Sequence, residues 1–317
     1  MKSNNIFLTL VLSVLFIIIA PFINILNSNY YISLLILLFI LLILSYLRKH
    51  KTDKIITGFL FIAFLIPFFI FNDVEQKVLV LRISGILSFL SLNLTLLIGP
   101  WTKIKISLMK YYKERRHIGV TTLFLAWLHA SLILSNYFNY SLETAWQSSF
   151  TFFGFTALFV FFLLGLTSWN YIQINFSLKT WKIIHFIALL IYLTNVYIFY
   201  DIINNNITTF ELIILILFIL YWIFAAPYGF IKFILKRLNG WKQLHVLIYI
   251  AYFALIYHVW NSPLKFQALW VKIIFILIVA VTLGSHLYGW ILKYKQYKEF
   301  KRAQKENLNL AENKEKI

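Results

Sequence analysis

Cysteine is absent from this 317-residue chain, and aspartate and glutamate together number only eleven. Without cysteine the chain forms no disulfide, no cysteine-ligated iron–sulfur cluster and no C-x-x-C-H attachment for c-type haem. No acidic residue lies in the middle of a long apolar run. This lack of a buried carboxylate counts against a transporter that couples to protons or sodium ions.

Apolar residues make up 61% of the chain, and its mean hydropathy is +0.81. Runs of roughly 20 apolar residues are long enough to cross a hydrocarbon core about 30 Å thick. They predict an all-α, polytopic transmembrane helix bundle of about ten spans, in contact with lipid as a multi-pass protein of the cell inner (cytoplasmic) membrane. The predicted spans are 6–26, 32–47, 55–71, 79–99, 118–137, 149–168, 181–200, 209–226, 243–260 and 268–291.

The net charge of +18 follows the loops, which argues against nucleic acid as a partner. Alternate loops and the two ends hold 25 of the 29 lysines and arginines, and the positive-inside rule places them in the cytoplasm. Both termini are then inside (N-in/C-in), which agrees with an even number of spans. The basic tail, 293–317, is predicted to start as a helix lying on anionic lipid, or to dock a cytoplasmic partner.

Five histidines lie within predicted spans, where an ionisable side chain is a functional candidate. At a helical rise of 1.5 Å per residue, three lie about 6–10 Å from the cytoplasmic side and two about 20–25 Å deep. The inner layer is His185, His245 and His286, and the deeper layer is His129 and His258. Neutral imidazole tolerates a membrane interior and ligates haem iron, so two layers suit a two-haem electron path. The alternative for each is an interhelical hydrogen bond, which is favoured for His286.

A Trp-Lys-x-x-His pattern at 181–185 recurs sixty residues later at 241–245. In each copy an apolar span and a short loop precede the tryptophan. An interfacial anchor explains the Trp-Lys pair but not the histidine that follows it. The recurrence indicates a duplicated two-helix unit, which is common in membrane proteins.

Three stretches resemble the ferric-reductase-like transmembrane domain family: LNLTLLIGPWTK at 92–103, RRHIGVTTLFLAWLH at 115–129, and LGLTS…TWKIIH…Y within 164–192. This family includes the haem-binding membrane subunit of the methionine-sulfoxide reductase system and, more distantly, NADPH oxidases and ferric reductases. The first stretch is similar to the family's apolar helix that ends in a Gly-Pro turn. The resemblance covers roughly residues 80–200.

The resemblance implies that His129 and His185 ligate haem b. The family has a second histidine thirteen residues after the position of His185, and here that residue is Ile198. In the repeat, His245 and His258 have this spacing, so the second copy restores the ligand.

The predicted cofactor is therefore haem b, two groups, with iron ligands His129, His185, His245 and His258. Depth favours His129 with His258 for an outer haem and His185 with His245 for an inner one, while His286 could displace either inner ligand. Arg115 and Arg116 are candidates for haem propionates, with lipid phosphate as the alternative.

Four regions follow from these predictions: three N-terminal helices (1–78), ferric-reductase-like haem-binding helices (79–200), duplicated haem-binding-like helices (201–292) and the basic tail (293–317). The predicted function is electron transfer from a cytoplasmic reductase or quinol to an acceptor on the outer face. The family's flavin and nicotinamide domains are missing, so we expect an oxidoreductase component served by a separate reductase or acceptor protein, with FMN or quinone supplied through a partner. The alternatives are a transporter or lipid-binding membrane protein with structural histidines, and a non-redox helical module that scaffolds a partner.

Overall fold

A computed structural model of the chain describes residues 30–47, 51–71, 73–112, 114–139, 141–167 and 247–315. Within these ranges the protein is built of helices and has no strand. A helix bonds its own backbone groups internally, which an apolar chain in lipid requires. The all-helical prediction is confirmed there. The helices are α1 (Tyr30–Leu47), α2 (Lys51–Ile70), α3 (Gln76–Ile104), α4 (Arg115–Phe138), α5 (Leu142–Gln147), α6 (Ser149–Thr167), α7 (Leu247–Asn261) and α8 (Leu269–Glu315), with short 3-10 turns at Ile106–Tyr111 and Pro263–Phe266.

Among the described residues, four helices are long and apolar enough to cross a membrane: α2, α3, α4 and the first 36 residues of α8. The apolar parts of α1 and α6 are shorter, at Leu34–Leu47 and Phe150–Gly165. The predicted spans 6–26, 181–200 and 209–226 lie outside the described residues. The total of ten spans and the N-in/C-in orientation therefore stay predictions.

Helix α3 lies at the centre of the described bundle. Half of its apolar window (50%) is buried, against 11% for α2 and for α8, whose apolar faces are available to lipid. Helix α3 packs most extensively on α4 and also on α8, while α6 packs on α7. Small polar residues line the α3–α4 contact, where Ser88 Oγ donates to Thr122 O (3.3 Å) and Thr122 Oγ1 to Ser91 Oγ (2.9 Å). Small residues let two helices approach closely in a membrane.

A buried asparagine joins three helices. The side-chain oxygen of Asn93 in α3 accepts hydrogen bonds from Tyr252 Oη in α7 (2.6 Å) and Thr282 Oγ1 in α8 (2.7 Å). Its side-chain nitrogen donates to Phe89 O of its own helix (2.7 Å). These bonds fix α7, which also carries His258, against α3.

Helix α3 runs through Gly99-Pro100 to Ile104, so the expectation that it ends in a Gly-Pro turn is wrong. A proline in a helix has no N–H, which leaves the carbonyl four residues earlier without its helical partner. That carbonyl belongs to Leu96, and Nε2 of His286 in α8 donates to it (2.9 Å). Helix α8 approaches Pro100 closely at Gly289. A neighbouring helix thus replaces the bond that Pro100 removes.

Helix α8 continues from its apolar part into the predicted tail. It ends at Glu315, and the side chains from Lys293 to Phe300 are exposed. The tail is thus helical for longer than its first few residues. The boundaries of the four predicted regions stay predictions.

Candidate functional site

Two histidines from distant parts of the chain meet between α4 and α7. The ring centres of His129 and His258 lie 6.2 Å apart, and the ring planes are nearly perpendicular at 80°. His258 is buried and His129 is partly buried. The ring of Phe150 in α6 lies 6.0 Å from that of His258 at 27°. These are the two histidines of the deeper predicted layer.

Each of the two rings is held by a backbone carbonyl of a neighbouring helix. Nδ1 of His129 is 2.9 Å from Leu81 O in α3, and Nδ1 of His258 is 2.7 Å from Phe150 O in α6. A carbonyl oxygen only accepts, so Nδ1 of each ring must carry the proton. The lone pair of a neutral imidazole then lies on Nε2. Among the described residues, neither Nε2 has a hydrogen bond.

His286 is held differently. Its Nε2 donates to Leu96 O, as described above, and its Nδ1 accepts from Tyr249 Oη in α7 (2.6 Å). Both ring nitrogens are therefore used within the bundle. The arrangement is that of an interhelical hydrogen-bond residue.

Positive charges collect near the ends of α3 and α4 that face the basic loops. Arg115 interacts electrostatically with Lys103, Tyr249 and His286, and Lys293 of α8 interacts with Lys103. The Arg115 guanidinium also lies against the α3 backbone at Gly99. These lysines and arginine suit an anionic group. Lys103 and Lys293 are therefore further cations near the propionate or lipid phosphate that Arg115 is predicted to bind.

Four buried side-chain atoms have no hydrogen-bond partner among the described residues: Glu114 Oε2, Asn136 Nδ2, Thr151 Oγ1 and Asn261 Nδ2. Glu114 lies in the basic loop region, and the other three lie near helix ends beside residues of the histidine pair. Asn136 is two turns after His129, Asn261 is one turn after His258, and Thr151 follows the carbonyl that holds His258. Buried polar atoms are nearly always bonded, so such exceptions point to a missing ligand or water.

Residues 84–196 match the family described as "Ferric reductase like transmembrane component". No curated protein and no solved structure matches the chain. The match contains His129 and His185, and ends before His245 and His258. This match over part of the chain suggests a membrane electron-transfer protein.

The spacing of the histidine pair fits two imidazoles bound to one haem iron. A metal–imidazole nitrogen bond of about 2 Å places two rings on opposite sides of one iron with centres about 6 Å apart, close to the 6.2 Å observed. Both rings keep Nε2 free, and a carbonyl holds the other nitrogen as in known metal sites. No cluster of three or more His, Asp or Glu side chains able to hold a bare metal ion exists in the described ranges. Two side chains suffice for haem because the porphyrin supplies the remaining ligands.

Two of the predicted ligands, His185 and His245, lie outside the described residues, as does Ile198. Their pairing and the duplicated unit therefore stay predictions. Arg116 is partly buried in the first turn of α4.

The sequence does not reveal several residues that hold the histidine rings. Tyr249 and the carbonyls of Leu81 and Phe150 hold the histidine rings, yet a carbonyl gives no residue-type signal. One signal was available, because a glycine follows each of these two carbonyls by four residues, at Gly85 and Gly154.

Proposed function

We propose that this chain is a haem b-binding membrane electron-transfer protein and that His129 and His258 would hold the iron of one haem. The observation that carries the proposal is the tethered pair: two rings 6.2 Å apart, each with Nδ1 bonded to a carbonyl and Nε2 free. His286, a structural histidine in the same bundle, uses both ring nitrogens in hydrogen bonds. The free Nε2 therefore distinguishes His129 and His258 from it.

Haem iron held by two imidazoles supplies one-electron chemistry, cycling between the ferric and ferrous states. His129 and His258 would hold it through Nε2. Asn136, Thr151 and Asn261, whose buried polar atoms lack a partner among the described residues, would supply hydrogen bonds to its polar groups. The apolar side chains of α4, α6 and α7 exclude water from the pair.

A second haem, nearer the cytoplasm, is proposed between His185 and His245 on the basis of the sequence. Arg115, with Lys103 and Lys293, would then bind the propionates of this inner haem. Electrons enter from a cytoplasmic reductase carrying FMN, or from quinol, and leave to an acceptor at the outer face of the inner membrane.

The test is a dithionite-reduced-minus-oxidised spectrum of the purified full-length protein, with haem quantified per chain. We expect b-type bands, and the loss of one haem in His129→Gln and in His258→Gln. Glutamine keeps a donor for the carbonyl but gives haem iron no imidazole. His286→Gln is the matched control, since glutamine can still donate to Leu96 O, and it should keep its haem.

A wild-type protein without b-type bands after expression with ample haem would sink the proposal and favour a transporter or lipid-binding protein with structural histidines. Unchanged haem content in both ligand variants would refute the pairing of His129 with His258.

A further inference from the structure

Each histidine of the pair sits against a glycine. A Cβ built on Gly85 would lie 2.9 Å from Nδ1 and 3.0 Å from Cε1 of His129. A Cβ on Gly154 would lie 2.8 Å from Nδ1 and 2.9 Å from Cε1 of His258. Real Cβ atoms essentially never come this close, so any other residue would push the ring away.

The two contacts share one geometry. Nδ1 of His129 bonds the carbonyl of Leu81, four residues before Gly85. Nδ1 of His258 bonds the carbonyl of Phe150, four residues before Gly154. A side chain at the glycine position would cover the carbonyl one turn earlier, so its absence opens a notch in the helix. A carbonyl oxygen has two lone pairs and can accept the imidazole N–H in addition to its helical bond. The Leu81 oxygen is shared further, because Ser84 Oγ also donates to it (3.0 Å).

The other glycines of the described bundle make no such close contact with a histidine ring. Gly119 lies on α4 with its nearest neighbour, Thr95 Cγ2, at 3.8 Å, and Gly58 on α2 has Leu42 Cδ1 at 3.8 Å. Both have room for a Cβ. The close approach to an imidazole is found at Gly85 and Gly154 alone among the glycines of the described residues.

We propose that Gly85 and Gly154 are positioning residues that fix the tautomer and orientation of His129 and His258 as iron ligands; this rests on the proposed function. Each notch lets the ring reach its carbonyl, which puts the proton on Nδ1 and presents Nε2 to the iron. The hydrogen bond also makes the imidazole a stronger donor, which favours ferric iron.

The test compares Gly85→Ala and Gly154→Ala with Gly119→Ala in the full-length, haem-loaded protein. The readouts are the midpoint potential, the ferric low-spin electron paramagnetic resonance spectrum and the rate of haem transfer to an excess of apomyoglobin. We expect the two notch variants to lose haem about tenfold faster, as for other residues that orient a metal ligand. Their g-values should change and their potential should move to more positive values. Gly119→Ala should resemble the wild type in all three.

The proposal would be overturned if both notch variants had the g-values, the midpoint potential and the haem-transfer rate of the wild type. The b-type spectrum of the wild type tests the proposed function separately, so that function would still stand. Alanine is a better helix former than glycine, so a general effect on helix stability would stabilise the variants and would not weaken their haem binding. If Gly85→Ala and Gly154→Ala both fail to accumulate while Gly119→Ala accumulates, the glycines serve packing and not ligand placement. The proposal is then also overturned.

Discussion

Replacing Asn93 by leucine should be one of the most destabilising single changes in the described bundle. The change removes two interhelical hydrogen bonds, from Tyr252 and Thr282. Such bonds contribute about 0.6 kcal/mol each in membrane proteins. Thr282 retains a bond to Ile278 O (2.9 Å). The buried Tyr252 hydroxyl keeps its contact with the Thr282 hydroxyl but loses Asn93, the acceptor of its own proton. A buried hydroxyl without its acceptor costs about 1–3 kcal/mol, so the total loss of unfolding free energy is about 2–4 kcal/mol.

Partner variants make this reasoning testable. Thr282→Val and Tyr252→Phe each remove one of the two interhelical bonds to Asn93 and leave it with the other, so each should lose about 0.6–1 kcal/mol. In Asn93→Leu/Tyr252→Phe no hydroxyl is orphaned, and the double variant should be no less stable than Asn93→Leu alone. The measurement is equilibrium unfolding in mixed detergent micelles. A double variant whose loss equals the sum of the two single losses would refute the orphaned-hydroxyl argument.

Two further predictions concern packing and topology. Gly165→Ala should lower the free energy of unfolding by about 1–3 kcal/mol, because its Cβ would lie 2.6 Å from Leu123 Cδ2. The measurement is thermal unfolding, with Gly119→Ala as the control. Equal stability of the two variants would contradict the predicted clash. The cysteine-free chain permits labelling with a membrane-impermeant maleimide, where we expect Gln267→Cys to react from outside and Glu299→Cys only after permeabilisation. The reverse pattern would rule out a cytoplasmic C-terminus.

The depth of the histidines could be read from the sequence because helical rise is nearly constant. Counting residues from the basic loops put His129 and His258 in one layer, and the structure has their rings side by side. Which nitrogen is free was not readable, since it depends on carbonyls of other helices. Asn93 is a polar residue in an apolar run and so signals an interhelical contact. Its partners, 159 and 189 residues away, follow only from the packing of α7 and α8.

Pro100 shows where local rules mislead. A Gly-Pro pair normally marks a turn because proline lacks an N–H. In this bundle a donor from another helix, His286, offsets the loss, and α3 continues for another turn. The outcome depended on a residue 186 positions further along, which no local window contains.

The Leu96 carbonyl also bears on how the chain is made. Synthesis runs from the N-terminus, so α3 enters the membrane long before α8 exists. Until His286 arrives, that carbonyl must be bonded by water or by a temporary partner, because lipid offers no donor. A helix made much later thus completes the hydrogen bonding of α3. A ribosome that stops before α8 would release an N-terminal part with an unsatisfied group in the bilayer, which quality-control proteases could recognise.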